Sequence, residues 1–260
     1  MATESNSPVY RRVLVKVSGE ALAGQGGHGL DATVLQSVAV ELGAVAKLGV
    51  SLGVVIGGGN FFRGAAAALA QHDRINADYI GMLATIMNAL ALQQTLAAAN
   101  IPAYAQSALP VPSVIDPYAR TQALECLEQG RVVIFAAGTG NPLFTTDSAA
   151  SLRAIEIRAD IMLKATKVDG VFSADPANHP DAERFDEISY EEVLTQRLGI
   201  MDATAVILCR EHNLPIRVFD MAVPGGLKRI VCGANVGTLI HGDSGAANRR
   251  EFDSYSTNVE

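Results

Sequence analysis

Short runs of β-branched and other apolar residues alternate along the chain with longer Ala- and Leu-rich stretches, a pattern that reads as repeated β-α units. The first run, Arg12–Val17 (RVLVKV), predicts a buried strand interrupted only by Lys16. Beyond a Gly-rich connection, Asp31 is placed to cap a helix with an apolar face of Val34, Leu35, Val38, Leu42 and Val45, and Gly49 closes it. Ser51–Ile56 (SLGVVI) predicts a second strand that runs into Gly57-Gly58-Gly59-Asn60. Two helical segments follow, the second from about Asn76 to Ala99. Its apolar positions run most of the way round, which predicts a largely buried helix. Further strands are expected at Ile101–Ala105, Arg131–Ala136 and Asp160–Lys164.

After Thr166 the texture changes. Residues 167–190 hold turn residues and charge (Asp169-Gly170, Asp175-Pro176, His179-Pro180) with little periodicity. Two helical segments, a strand at Ile216–Phe219, a helix from about Gly226 and a short strand near Thr238–Ile240 complete the pattern. No long linker or internal repeat divides the chain. The expectation is one α/β domain over residues 10–242, with lobes of about 10–165 and 166–242 on one continuous sheet, and flexible tails at 1–9 and 243–260.

Composition narrows the function classes. With 49% hydrophobic and 18% charged residues among 260, the chain buries a sizeable core, which excludes a disordered or fibrous protein. A net charge of −7 argues against a polyanion-binding surface, and 5% aromatics without Trp argue against a base-stacking one, so no nucleic-acid partner is expected. A local cluster of cations for one small anion remains open. Cys126, Cys209 and Cys232 lie far apart with no CxxC pair, which points to a reducing compartment and away from a zinc knuckle. The N-terminus lacks the apolar core of a signal peptide, and apolar stretches are interrupted before spanning length. A cytoplasmic protein without a membrane partner is expected.

Gly24-Gln25-Gly26-Gly27-His28-Gly29 fits the spacing of a dinucleotide fingerprint, but it begins well after the first strand, and no acidic residue closes the second. It reads better as a Gly-rich loop. There is no GxxxxGK[ST] phosphate loop either. Gly57-Gly58-Gly59-Asn60 is the stronger signal. Glycines between a buried strand and a helix let backbone N–H groups approach phosphate oxygens, and Arg63 follows one turn later. A tight turn needing positive φ explains one or two of these glycines, not three. Lys16 is either a strand-end cation reaching solvent or a ligand-facing cation at the carboxyl end of a central strand. The loop Ala137–Asp147 (AGTGNPLFTTD) also follows a buried strand. It carries more polar groups than the capping of the next helix by Thr146 or Asp147 requires. Three such loops at three strand ends point to a site for several phosphates.

Four motifs in this order, Lys16–Leu22 (KVSGEAL), Gly57–Gly64 (GGGNFFRG), Gly138–Asp147 (GTGNPLFTTD) and Lys164–Phe172 (KATKVDGVF), resemble the bacterial uridylate kinases of the amino-acid kinase superfamily, from about Tyr10 to His241. The resemblance implies a three-layer αβα sandwich with a mostly parallel sheet, and transfer of the ATP γ-phosphoryl group to UMP to give UDP. It implies a homohexamer, activated by GTP and inhibited by UTP, that uses Mg²⁺ brought by ATP, with no protein metal ligand assigned. The first lobe would hold the acceptor and the second ATP.

Carried over by motif, Lys16, Arg63 and Asp147 form the catalytic set, with Asp147 orienting Lys16. Lys16, Val17, Ser18, Gly19, Gly59, Arg63, Thr166, Phe172 and Asp175 would bind ATP. Gly58, Asp78, Thr139, Gly140, Asn141, Pro142, Leu143, Phe144, Thr145 and Thr146 would bind UMP, Asp78 through the ribose hydroxyls. Gly24, Gln25, Gly26, Gly27, His28 and Gly29 would form the loop linked to GTP activation. Lys164 and Lys167 are further candidate cations, and the sequence leaves open which of them faces the phosphates. The competing readings are an acid kinase of the carbamate or acetylglutamate type and a non-catalytic nucleotide-binding protein on the same fold. The first should lack Asn141–Thr146, and the second should have a broken catalytic set.

Overall fold

The computed structural model describes residues 7–62, 73–176, 178–179 and 181–242. Strands β1 (Arg12–Val17) and β2 (Ser51–Ile56) occupy the two apolar runs read from the sequence. They are followed by β3 (Ala103–Ser107), β4 (Asp116–Pro117), β5 (Val132–Ala136) and β6 (Ile161–Thr166). The remaining strands are β7 (Val171–Phe172), β8 (Arg184–Phe185), β9 (Glu187–Ser189), β10 (Ile216–Asp220) and β11 (Thr238–His241). The described helices are α1 (Ala32–Ala46), α2 (Arg74–Ala98), α3 (Arg120–Glu128), α4 (Thr146–Glu156), α5 (Tyr190–Thr195), α6 (Ala203–Glu211) and α7 (Gly226–Val231). The Asp31 carboxylate caps α1 by accepting from the N–H groups of Thr33 (2.8 Å) and Val34 (3.2 Å). Gly49, at φ +80°, ends the turn behind that helix.

Nine strands make one sheet in the order β4-β3-β5-β2-β1-β6-β10-β11-β9. Its pairings are parallel except that between β10 and β11, which reverses the direction of the last two strands. Period-two alternation sorts the side chains into two cores. Val13, Val15 and Val17 of β1 join Leu163 of β6 in the core under α1, α2 and α7. Leu14 and Met162 point the other way, onto Ala149 and Ala150 of α4 and Val206 of α6. This is the three-layer αβα sandwich. The sheet is continuous from β4 to β9, and Val9 docks on the end of α7 by donating its N–H to Val231 O at 2.9 Å.

Four expectations need correction. Residues 167–190 are not all turn: β7 and β8 form a small hairpin and β9 lies on the main sheet. Strands of two or three residues are too short to express a period. Helix α2 is not buried all round. Met82, Ile86, Ala89, Leu92 and Leu96 pack on the sheet, but Ile75 (47%), Tyr79 (39%), Ile80 (41%), Leu83 (49%) and Met87 (50%) form an exposed apolar stripe. Contrary to the expectation of interrupted apolar stretches, this helix also reaches spanning size by length and composition. Finally, α4 is capped by Thr145, whose hydroxyl accepts from the N–H groups of Asp147 (3.1 Å) and Ser148 (3.2 Å), and not by Thr146 or Asp147. The first of the two helical segments expected after Gly59, and the tails at 1–6 and 243–260, lie outside the described residues.

Candidate active site

Lys16 and Lys164 are direct partners in the parallel pairing of β1 with β6, so both side chains leave the sheet on the α4 side. Between them stands Asp147, in the first turn of α4. Its Oδ1 lies 2.9 Å from Lys16 Nζ and its Oδ2 2.5 Å from Lys164 Nζ. All three side chains are nearly buried, at 10% exposure for each lysine and 14% for the aspartate. Lys164 also donates to Ile200 O. Burial raises the Asp147 carboxyl, but the two ammonium groups outweigh it and hold the group below the usual carboxylate range. Burial, aided by the neighbouring Lys16 charge, pulls Lys164 below the ordinary lysine value against the opposing pull of Asp147. A cluster of two cations on one anion is left with net positive charge at the carboxyl ends of central strands, where parallel sheets place ligands. Lys167 lies on the exposed surface beyond β6, so Lys164 is the second cation of the cluster.

The glycine turn follows β2, the neighbour of β1 in the sheet, and packs against Gly19 and Glu20 just beyond β1. None of Gly57, Gly58 and Gly59 has positive φ, so the turn does not need glycine for its dihedrals. It needs glycine for contact. A Cβ on Gly19 would sit 2.6 Å from both Gly57 O and Gly59 N, and one on Gly58 would sit 2.5 Å from Gly81 O of α2. The backbones of the first two motifs therefore touch, which brings Val17, Ser18 and Gly19 beside Gly58 and Gly59. Arg63, the remaining member of the expected catalytic set, lies outside the described residues.

Gly58, Gly59, Asp78, Phe144 and Thr146 line one cleft of about 430 Å³, together with Phe62, Arg74, Met82, Thr85 and Gly138. Asp78 is not a free helix carboxylate. Its Oδ2 accepts from the Leu143 N–H at 2.8 Å and its Oδ1 lies 3.1 Å from Arg74 Nε. It thus ties α2 to the loop 138–146. That loop is bent by left-handed backbone at Ala137 (φ +61°), Gly138 (+59°), Gly140 (+81°) and Leu143 (+73°). The Thr85 hydroxyl, buried on α2, accepts the Ala137 N–H at 2.6 Å and fixes where the bend starts. Thr139 and Asn141 are bonded within the loop, through Thr139 Oγ1 and the Asn141 N–H at 3.1 Å. Leu143 and Phe144 are exposed, at 64% and 51%. Thr145 turns away to bond Asp202, and Pro142 continues the loop.

The residues expected on the ATP side are less gathered. Thr166 ends β6, with its hydroxyl bonded to the Val168 N–H and carbonyl. Phe172 is half-buried on β7, and Asp175 accepts from Asn178 Nδ2 at 2.7 Å in the loop after it. The segment Gly24–Gly29 lies in and after a 3₁₀ stretch, Gly19–Gly26, and ends in a bond from Gly29 N–H to Asn60 O at 2.9 Å. Sequence reasoning missed Thr85, Asn88 and Asp202. Each is a polar residue in or beside a helix whose partner lies far away in the chain, and no local spacing signals it.

Residues 11–220 match the model of the amino acid kinase family. The uridylate kinase of Ectopseudomonas mendocina is 55% identical over 242 residues, covering 93% of this chain and 98% of that protein. The uridylate kinase of Yersinia pestis is 55% identical over 240 residues, covering 92% and 99%. Among solved structures, UMP kinase from Bacillus anthracis superposes with a TM-score of 0.87 at 41% identity, covering 90% of this chain and 97% of that one. UMP kinase from Ureaplasma parvum gives 0.83 at 34%, covering 89% and 98%. Since these relatives match over most of their own lengths by sequence and by fold, the chain belongs to the amino acid kinase family and, within it, to the uridylate kinases.

Proposed function

We propose that the cleft transfers the γ-phosphoryl group of ATP to the α-phosphate of UMP, giving UDP, with the labour divided as follows. Attacking and transferred groups are phosphate oxygens, already ionised near neutral pH, so no general base is needed. Charge neutralisation, alignment and exclusion of water are needed. Lys16 faces the transferred phosphoryl group, Lys164 supplies the second charge, and Asp147 holds both ammonium groups in place. Arg63 spans the phosphates. Gly58 serves the acceptor and Gly59, with Val17–Gly19, the donor. Asp78 and Thr139–Thr146 hold the UMP sugar and base, while Thr166, Phe172 and Asp175 serve adenosine. The observation that carries this reading is the buried Lys16–Asp147–Lys164 cluster, whose Asp147 directly follows Thr146 of the cleft lining.

Mg²⁺ would arrive with ATP. No group of three or more His, Cys, Asp or Glu among the described residues forms a metal cage, and both Asp147 oxygens face lysines. That arrangement suits an ion carried mainly by substrate phosphates. Bound there, the ion would neutralise charge on the β- and γ-oxygens. UTP, which shares uracil and ribose with UMP, fits the role of inhibitor. GTP activation through Gly24–Gly29 rests on the likeness of that loop. The exposed stripe on α2 is a natural seam for self-association, and so supports the hexamer. Three free cysteines fit a cytoplasmic home. A non-catalytic binding protein fits less well, because Lys16 and Asp147 are in place. An acid kinase also fits less well, because the segment Asn141–Thr146 is present and its Phe144 and Thr146 line the cleft.

The test is Lys16→Ala in a coupled ADP-release assay. Turnover should fall by at least about a hundredfold, the order seen when one charge stabiliser is removed, with the folded state retained by circular dichroism. Unchanged turnover would refute the assignment.

A further inference from the structure

Asn60 and Asn88 lie 28 positions apart in sequence and are 1% and 0% exposed. They face each other as a reciprocal amide pair. Asn60 Nδ2 donates to Asn88 Oδ1 at 2.9 Å, and Asn88 Nδ2 donates to Asn60 Oδ1 at 2.7 Å. The second proton of each amide leaves the pair: Asn60 Nδ2 donates to Gly29 O at 2.7 Å and Asn88 Nδ2 to Gly57 O at 2.7 Å. The Asn60 backbone closes the set by accepting the Gly29 N–H at 2.9 Å. All four amide protons are used, in a site without water access, where an unmet donor is costly.

Neither side chain lines the cleft, so the pair does not touch substrate there. It joins three segments that do different things: the end of the Gly24–Gly29 loop, the glycine turn, and α2, which carries Asp78 and Thr85. We propose that the Asn60–Asn88 pair is a positioning device for phosphoryl transfer, fixing the Gly57–Gly59 turn to α2 and making the placement of the Gly29 segment depend on that turn. The Gly57 carbonyl is drawn onto Asn88. In a trans peptide the Gly58 N–H then points away from that carbonyl's direction, so Asn88 sets the plane of the peptide entering the turn. Backbone glycines have no side chain to lock them, so a buried hydrogen-bonded neighbour must do it. This rests on the reading of Gly58 and Gly59 as phosphate-facing.

Asn88→Ala tests the coupling, because Asn88 makes no bond to Gly29. Two readouts apply: hydrogen exchange in a peptide spanning 23–31, and kcat with KM for both substrates. The device predicts faster exchange at Gly29 and a kcat roughly ten- to a hundredfold lower, as expected for a displacement of about 1 Å, with little change in either KM. Asn88→Asp keeps the size, loses both donated bonds and should reproduce these changes if the alanine variant fails to fold. Unchanged exchange at Gly29 with unchanged kcat in a folded variant would overturn the proposal. Gly59→Ala separates it from the reading beneath it. Full activity in Gly59→Ala would refute the phosphate role of the turn, and with it the kinetic part of the proposal. Loss in Gly59→Ala with none in Asn88→Ala would refute the amide pair alone.

Discussion

Asp78→Ala separates holding UMP from transferring phosphate. The side chain is 21% exposed, so its bonds are only partly weakened by solvent. Its carboxylate accepts the Leu143 N–H at 2.8 Å, where Leu143 is held at φ +73°. In the proposed complex it also meets the ribose hydroxyls. Truncation removes both, so the loop 138–146 loses its tie to α2 while the sugar loses its acceptor. A hydrogen bond to a charged group contributes about 1.5–3 kcal/mol. One such bond is worth roughly ten- to a hundredfold in affinity. Ribose does not change during transfer, so the loss should fall on KM for UMP, with kcat and KM for ATP little moved. Asp78→Asn should be milder, because its amide oxygen still accepts the Leu143 N–H. The assay is ADP release against UMP concentration at saturating ATP. An unchanged KM for UMP in Asp78→Ala would refute the reasoning. Loss of kcat at saturating UMP would place Asp78 in the chemistry and refute the division of labour.

Two further expectations follow from the same geometry. Burial holds Lys164 below the ordinary lysine value of 10.5, so its charge is lost as pH rises through that lowered value. The kcat profile should fall on its basic side below pH 10.5, and Lys164→Met should be slow throughout and lack that fall; an identical profile in the variant would contradict the role. If the exposed stripe of α2 is the seam of the proposed hexamer, Leu83→Asp should give smaller species by light scattering, and an unchanged mass would exclude that stripe.

Much of the sandwich was legible in the chain because its inner strands are buried on both faces and bounded by glycine. β1 and β2 end where their apolar runs end. The glycine motifs were legible as chemistry, but the reason for glycine at 57–59 was not. It is a close approach of Gly19 and α2, which only the packing reveals. The choice between Lys164 and Lys167 was equally closed to sequence spacing. It depends on the register that pairs Lys164 with Lys16. The outward stripe of α2 was hidden because hydropathy registers an apolar face without saying whether its own fold covers it. β4, β7 and β8 were invisible for a simpler reason: two residues carry no period.

In the proposed function this cleft passes phosphate from ATP to UMP and reads the uracil edge through Asn141–Thr146. ADP release by the purified protein with a panel of nucleoside monophosphates is the decisive measurement. A pocket that hydrogen-bonds one base edge leaves buried groups unpaired with another, a difference that reaches about 10⁴-fold in well-built sites. The predicted result is rapid turnover with UMP and a kcat/KM for CMP lower by orders of magnitude. Equal kcat/KM for UMP and CMP, or turnover with neither, would contradict it.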